Sequence, residues 1–241
     1  MVEYWLEFKK FLNSKGIKII PIKTFLLPLY NDHIDCLVIG EKNYHKASQI
    51  LAQAGFKKGR IFYNDRKKRF WRFPDNPQAR GIHLHKICGW SGIGYLDPEK
   101  IWERKRIEKI GEHEVDFPSY EDEIIISALH SVFENKSIKE KEFFYLANIV
   151  DEEKLDWDYV NKTNKDIGCS TAFNVFWSFF LQAKEKGDII FPIPIDYSEV
   201  LKAMLGRLRR DFKCLHFISL IKDIFSYALD IAIYVLRKKH L

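Results

Sequence analysis

The sequence predicts an α+β chain: a mixed sheet with helices over residues 1–118, then an all-helical domain over residues 119–241. Three observations carry this. Two apolar runs lie close together in Lys18–Gly40, as paired strands would. A helical apolar pattern follows at Asn43–Ala54, with Tyr44, Ala47, Ile50, Leu51 and Ala54 on one stripe and Gly55 as its stop. From Ser119 onward the apolar residues recur at helical spacing, interrupted by Pro192 and Pro194.

In order, Tyr4–Asn13 carries Trp5, Phe8, Phe11 and Leu12 as an apolar stripe and is expected to form an amphipathic helix ended by Gly16. Ile19–Phe25 reads as a strand. Cys36–Ile39 is uncharged and ends at Gly40, which suits a strand buried on both faces. Asp32 and Asp35 stand at its mouth. Carboxylates there need solvent or a cation to offset their burial, and such groups commonly hold a hard divalent cation. Turn chemistry is the other reading, because Asp also favours turns and strand ends.

Residues 56–73 read as two strands joined by a charged turn at Asn64–Lys68. The Lys57–Arg72 stretch interleaves Arg60, Arg66, Lys67, Lys68, Arg69 and Arg72 with Phe62, Tyr63, Phe70 and Trp71. Such a hairpin can clamp phosphates and stack on bases, which makes nucleic acid a candidate partner. A solvated edge, lysine-rich against unwanted strand pairing, is the alternative.

Gly81–Ile87 is expected to be the next strand. Its His83-Leu84-His85 alternation puts both histidines on one face. Ser119 is expected to cap a helix whose first turn holds Glu121 and Asp122. His130 and Glu134, four residues apart, would share a face of it. Glu142–Val150, a short segment from Asp156, the aromatic Ser170–Lys186 and two segments from Ser198 complete the helices. Arg207, Arg209, Arg210 and Lys213 read as a solvated basic face.

The order of these parts, with Asp32-His33-Ile34-Asp35-Cys36-Leu37-Val38 at its centre, resembles the nucleotidyltransferase superfamily of DNA polymerase β-like fold. More narrowly the chain is similar to uncharacterised prokaryotic nucleotidyltransferase-like proteins. The His83-Leu84-His85 strand, the Trp90 loop leading to Trp102-Glu103-Arg104, and the string Ser119-Tyr120-Glu121-Asp122-Glu123…His130-Ser131-Val132-Phe133-Glu134 carry that narrower likeness. The resemblance spans most of residues 18–150.

In that superfamily an Asp-x-Asp pair and a third carboxylate on a neighbouring strand hold two Mg²⁺ ions around a nucleoside triphosphate. The resemblance therefore implies transfer of a nucleoside monophosphate from an NTP to a hydroxyl acceptor. It places the catalytic candidates at Asp35, Asp32 and His33, and the metal candidates at Asp35, His33, His83 and His85. The candidate nucleotide-binding residues are Lys23, Arg69, Arg72 and His130. A divalent metal is expected, with Mg²⁺ or Mn²⁺ ahead of Zn²⁺. The chain departs from the family pattern in having His33 two positions before Asp35 and histidines where the third carboxylate would stand. A degenerate nucleotide- or nucleic-acid-binding regulatory protein is thus the alternative to an enzyme.

Composition sets outer bounds. An apolar content of 46% excludes wholesale disorder, and a net charge of +6 is compatible with a phosphorylated ligand without requiring one. No Cys-x-x-Cys spacing exists among the four cysteines, which argues against zinc-ribbon and dithiol redox motifs. The acidic N-terminal stretch is unlike an export signal, so a cytoplasmic place is expected. Leu215–Leu236 is interrupted by Lys222, Asp223 and Asp230, which favours a core helix, with a homodimer contact there, over a membrane span.

Overall fold

A computed structural model describes residues 2–23, 33–58, 67–71, 81–90 and 93–213, with single positions at 224 and 228. At 2–3, 33, 67–71, 90, 93–95 and 210–213 it describes the backbone alone. Asp32, Arg72, the turn of the basic hairpin and nearly all of Leu215–Leu236 lie outside these residues.

The expected α+β class holds. Helix α1 (Val2–Asn13) precedes strand β1 (Ile19–Pro21), then β2 (His33–Val38), helix α2 (Glu41–Gln53), and strands β3 (Lys57–Lys58), β4 (Lys67–Trp71) and β5 (Gly81–His85). Among the described residues these strands make one sheet in the order β1-β2-β5-β4-β3. The β2–β5 pairing is parallel; β1–β2, β5–β4 and β4–β3 are antiparallel. A parallel pair needs a long crossover, and α2 lies within the one here. Gly40 makes the turn from β2 into α2 at φ 87°. A Cβ there would sit 3.1 Å from the Asn43 amide nitrogen, which is bonded to the Ile39 carbonyl at 2.8 Å.

Strand alternation separates two faces. Ile34, Cys36, Val38, Ile82 and Leu84 join the core with Trp5, Phe8 and Leu12 of α1 and Tyr44, Ala47 and Leu51 of α2. Asp35, His83 and His85 occupy the intervening positions, so they face the other side of the sheet.

Past β5 come β6 (Cys88–Trp90) and β7 (Ile93–Leu96), a paired ribbon where a loop was expected. Helix α3 (Pro98–Glu103) starts at Asp97, whose carboxylate accepts from the Glu99 amide at 3.0 Å. A hairpin of β8 (Arg106–Ile110) and β9 (His113–Phe117) follows, contributing Val115 and Phe117 to the core. Between those two, Asp116 faces the opposite way and is clamped by Lys9 at 2.6 Å and Lys105 at 2.5 Å. Burial opposes its ionisation, but the two ammonium groups outweigh that and hold its carboxyl below the usual value.

Helix α4 (Tyr120–His130) is capped as expected, the Ser119 hydroxyl accepting from the Asp122 amide at 3.2 Å. Arg106 fastens the hairpin to this helix. Its guanidinium bonds Glu108 at 2.6 Å, Glu123 at 2.9 Å and the Pro118 carbonyl, and lies 3.8 Å over the Tyr120 ring.

The chain forms two compact units. The first comprises Met1–Cys88, Leu96–Ile126 and Asn148–Leu155; the second comprises Gly89–Tyr95, Ser127–Ala147 and Asp156–Leu241. The remaining helices are α5 (Glu140–Glu152), α6 (Trp157–Asp166), α7 (Ser170–Lys186) and α8 (Tyr197–Lys213). Between α4 and α5, the short strand β10 (Ser137–Ile138) pairs with β11 (Ile193–Pro194) from between α7 and α8, the described departure from an all-helical second half. Within the second unit Ala172, Phe173, Phe176, Phe180 and Ala183 of α7 point inward.

Arg207 corrects the expectation of a solvated basic face on α8. It is 6% exposed, and its guanidinium donates to the Ile167 carbonyl. The reason is helical phase: Val200, Ala203 and Met204 are buried, and position 207 continues their 3.6-residue stripe. Arg209, two positions on, is exposed as expected. No helix among the described residues is long and apolar enough to cross a membrane.

Candidate functional site: an aspartate between two imidazoles

Register brings the site together. In the parallel β2–β5 pairing Asp35 lies opposite His83, and Leu37 opposite His85. The two histidines, two residues apart on β5, therefore flank the Asp35 carboxylate. His83 Nδ1 is 3.2 Å from Asp35 Oδ1, and His85 Nε2 is 2.5 Å from the same oxygen. All three side chains are buried, at 7%, 1% and 4% exposure. A buried carboxylate without partners would be costly; here two ring nitrogens converge on it.

The backbone around the site is fixed on both sides. The Asp35 carbonyl accepts from the Ile22 amide at 3.0 Å, and the Cys36 thiol donates to the His83 carbonyl at 3.5 Å. Lys23 follows Ile22 with φ 59°, a left-handed conformation uncommon outside glycine. Its ammonium is felt at Cys88. Burial pushes that thiol up to about 12, the Lys23 charge opposes the rise, and the carboxylates of Asp122 and Asp35 add to it. The charges of Lys23, Asp35 and Asp122 thus all act on one buried thiol in the first unit. Asp122, which the sequence offered only as a first-turn acid of α4, is wholly buried, with Arg104 Nε at 3.9 Å.

The other sequence candidates are distributed as follows. His33 opens β2 opposite Gly81. Arg69 lies opposite His83 on the β4 side, so its backbone adjoins the site. Asp32 and Arg72 lie outside the described residues. His130 belongs to the second unit, at the start of a π-helical turn over Ser131–Asn135. Its Nε2 is 3.2 Å from Glu134 Oε2, and its Nδ1 is 3.2 Å from the Asn135 amide nitrogen. Since that amide can only donate, Nδ1 is the acceptor and Nε2 carries the proton towards Glu134. The expected His130–Glu134 pairing is present, and Asn135 is the partner that helical spacing did not show.

Among the described residues, Asp35, His83 and His85 offer three ligand atoms within 4.8 Å of one another, a group that could hold a metal ion. Its donors are two nitrogens and one oxygen. A pair of Mg²⁺ ions takes oxygen ligands, carboxylates above all, and Asp35 is the carboxylate in this cluster. The described residues therefore do not fit the two-magnesium arrangement that the family resemblance implies.

No sequence-family model matches the chain, and no curated protein does. Two solved structures are similar in fold at low level. One is described as the lincosamide antibiotic adenylyltransferase LnuA with lincomycin bound; it is 13% identical, with a TM-score of 0.41, over 62% of this chain and 94% of that one. The other is an antigenic nucleotidyltransferase-like protein from Paracoccidioides brasiliensis, 11% identical with a TM-score of 0.41, over 81% of this chain and 89% of that one.

Proposed function

We propose that this chain is a nucleotidyltransferase-like protein that binds a nucleoside triphosphate beside Asp35 and transfers its nucleoside monophosphate to a hydroxyl acceptor. In that reaction the acceptor oxygen attacks the α-phosphorus, the bond to the β-phosphate oxygen breaks, and pyrophosphate leaves. For this reaction Asp35 would hold a divalent cation, Asp32 would assist it, and His33 would serve as a second ligand or a phosphate contact, while the acceptor's proton passes to solvent. Lys23, Arg69 and Arg72 supply positive charge for the triphosphate. The reaction is proposed to take place in the cytoplasm.

The observation that carries this reading is the pairing of Asp35 with His83 across the parallel strands β2 and β5. It puts one acid and two polar side chains on a single face of a mixed sheet, where the resemblance expects the reacting groups.

A second reading is favoured by the same cluster. With one carboxylate in it, the centre also suits a protein that binds a nucleotide without chemistry and acts as a regulatory subunit.

Calorimetric titration of ATP and GTP into metal-stripped protein, with Mg²⁺, Mn²⁺ or no cation, tests both. The transferase reading expects cation-dependent binding that is lost in Asp35→Asn. Binding without a cation supports the regulatory reading. No binding of either nucleotide under any condition overturns both.

A further inference from the structure

The geometry points to a single transition-metal cation of the zinc class, held by Asp35 Oδ1, His83 Nδ1 and His85 Nε2, in place of the magnesium pair. This deepens the reading of the same three residues as the functional site, and rests on their being that site. Three observations support it. The donor set is two imidazoles and one carboxylate, and imidazole favours zinc and its transition-metal neighbours over magnesium. The three ligand atoms lie within 4.8 Å of one another on two adjacent strands, so they can close on one ion. Burial of all three excludes most competing water.

Two of the three ligand separations approach those of one tetrahedral ion, and the third lies within 4.8 Å. With metal–ligand bonds near 2.0–2.1 Å, neighbouring ligand atoms stand about 3.3 Å apart. Asp35 and His83 are already at 3.2 Å. Asp35 and His85, at 2.5 Å, share a hydrogen-bond contact that the cation would replace, the His85 ring turning outward by about 0.8 Å. Among the described residues three protein ligands are offered, and a tetrahedral ion takes a fourth, which in catalytic zinc sites is water or a substrate oxygen. The β-strand backbone holds the ligands in place on both sides, through the Ile22–Asp35 bond and the Cys36–His83 contact.

The test uses the cation alone. The full chain is stripped, loaded with Zn²⁺ or Co²⁺, dialysed against millimolar Mg²⁺, and assayed for retained metal by mass spectrometry. The expected result is about one cation per chain, with Co²⁺ giving the intense visible absorption of a tetrahedral site. His83→Gln and His85→Gln should each lower retention at least about tenfold, as expected for loss of one of three ligands. No retained cation, displacement by Mg²⁺, or retention unchanged in both variants overturns the inference. Should the variants fail to fold, the Co²⁺ spectrum of the unaltered chain decides alone: weak octahedral absorption overturns it. ATP titration of the chain both metal-free and loaded with Zn²⁺ or Mg²⁺ keeps the two readings apart. Nucleotide binding with no zinc-class retention would remove the cation and leave the nucleotide site standing; retention without nucleotide binding would do the reverse.

Discussion

Asp35 Oδ1 and His85 Nε2 stand 2.5 Å apart although 50 residues separate them in the chain. His83 reaches the same oxygen, so one carboxylate atom serves two buried rings. Replacing the carboxylate leaves both imidazoles without that acceptor. Asp35→Ala should therefore lower the unfolding free energy by about 1–3 kcal/mol, the cost of orphaning buried polar groups. Urea unfolding followed by circular dichroism checks this, and an unchanged midpoint would mean that the cluster contributes nothing to stability.

Arg106 is the fastening between the β8–β9 hairpin and the start of α4. Its ion pair with Glu123 is nearly dry, and its ring contact with Tyr120 is close. Burial pushes the Tyr120 hydroxyl up to about 12, so the ring is neutral under its cation at ordinary pH. Arg106→Ala should cost about 1–3 kcal/mol, because buried Glu123 loses a charged hydrogen bond and Tyr120 its cation contact. Arg106→Lys should recover only part of this, since an ammonium cannot reproduce the planar fork. Full recovery by lysine in chemical denaturation would contradict that geometry.

Asp116 gives a pH dependence with a definite sign. Its folded carboxyl is held below the unfolded value by Lys105 and Lys9. The unfolded chain therefore binds the proton more readily, and stability from this clamp is present above the unfolded pKa and lost as pH falls through the folded one. The stability gap between the natural chain and Asp116→Asn should narrow from about pH 6 to about pH 3. A gap that stays constant over that window would remove the clamp from the account.

Arg207 should behave as a core residue despite its charge. Arg207→Ala should destabilise by about 1–3 kcal/mol through loss of the bond to the Ile167 carbonyl and of packed methylene groups. Arg209→Ala, on the exposed face, should change stability by less than about 0.5 kcal/mol. Equal effects at the two positions in thermal unfolding would contradict the helical phase.

Much of this was legible in the residues. The uncharged Cys36–Ile39 run marks a strand buried on both faces, and it is buried throughout; the Ser119 cap and the aromatic α7 follow from local pattern. His83 and His85 could be put on one strand face from their spacing. That they close on Asp35 could not, because it depends on the parallel register across β2 and β5, which no local spacing encodes. The β8–β9 hairpin gives only a short alternating signal, confined to Val115 and Phe117, since Ile107 of β8 is largely exposed. The π-helical turn that adds Asn135 to the His130–Glu134 pair differs from an α-helix by one residue of spacing, below what periodicity resolves. Arg207 was the reverse case: the stripe through Val200, Ala203 and Met204 predicts its burial, and charge alone hides it.

The measurement that tests the central claim most directly is a crystal structure of the chain with a non-hydrolysable ATP analogue and a divalent cation. The account predicts the triphosphate on the Asp35–His83–His85 face of the sheet, with its phosphates within reach of Lys23. An analogue bound elsewhere, or a chain that takes up none at saturating concentration, would contradict it.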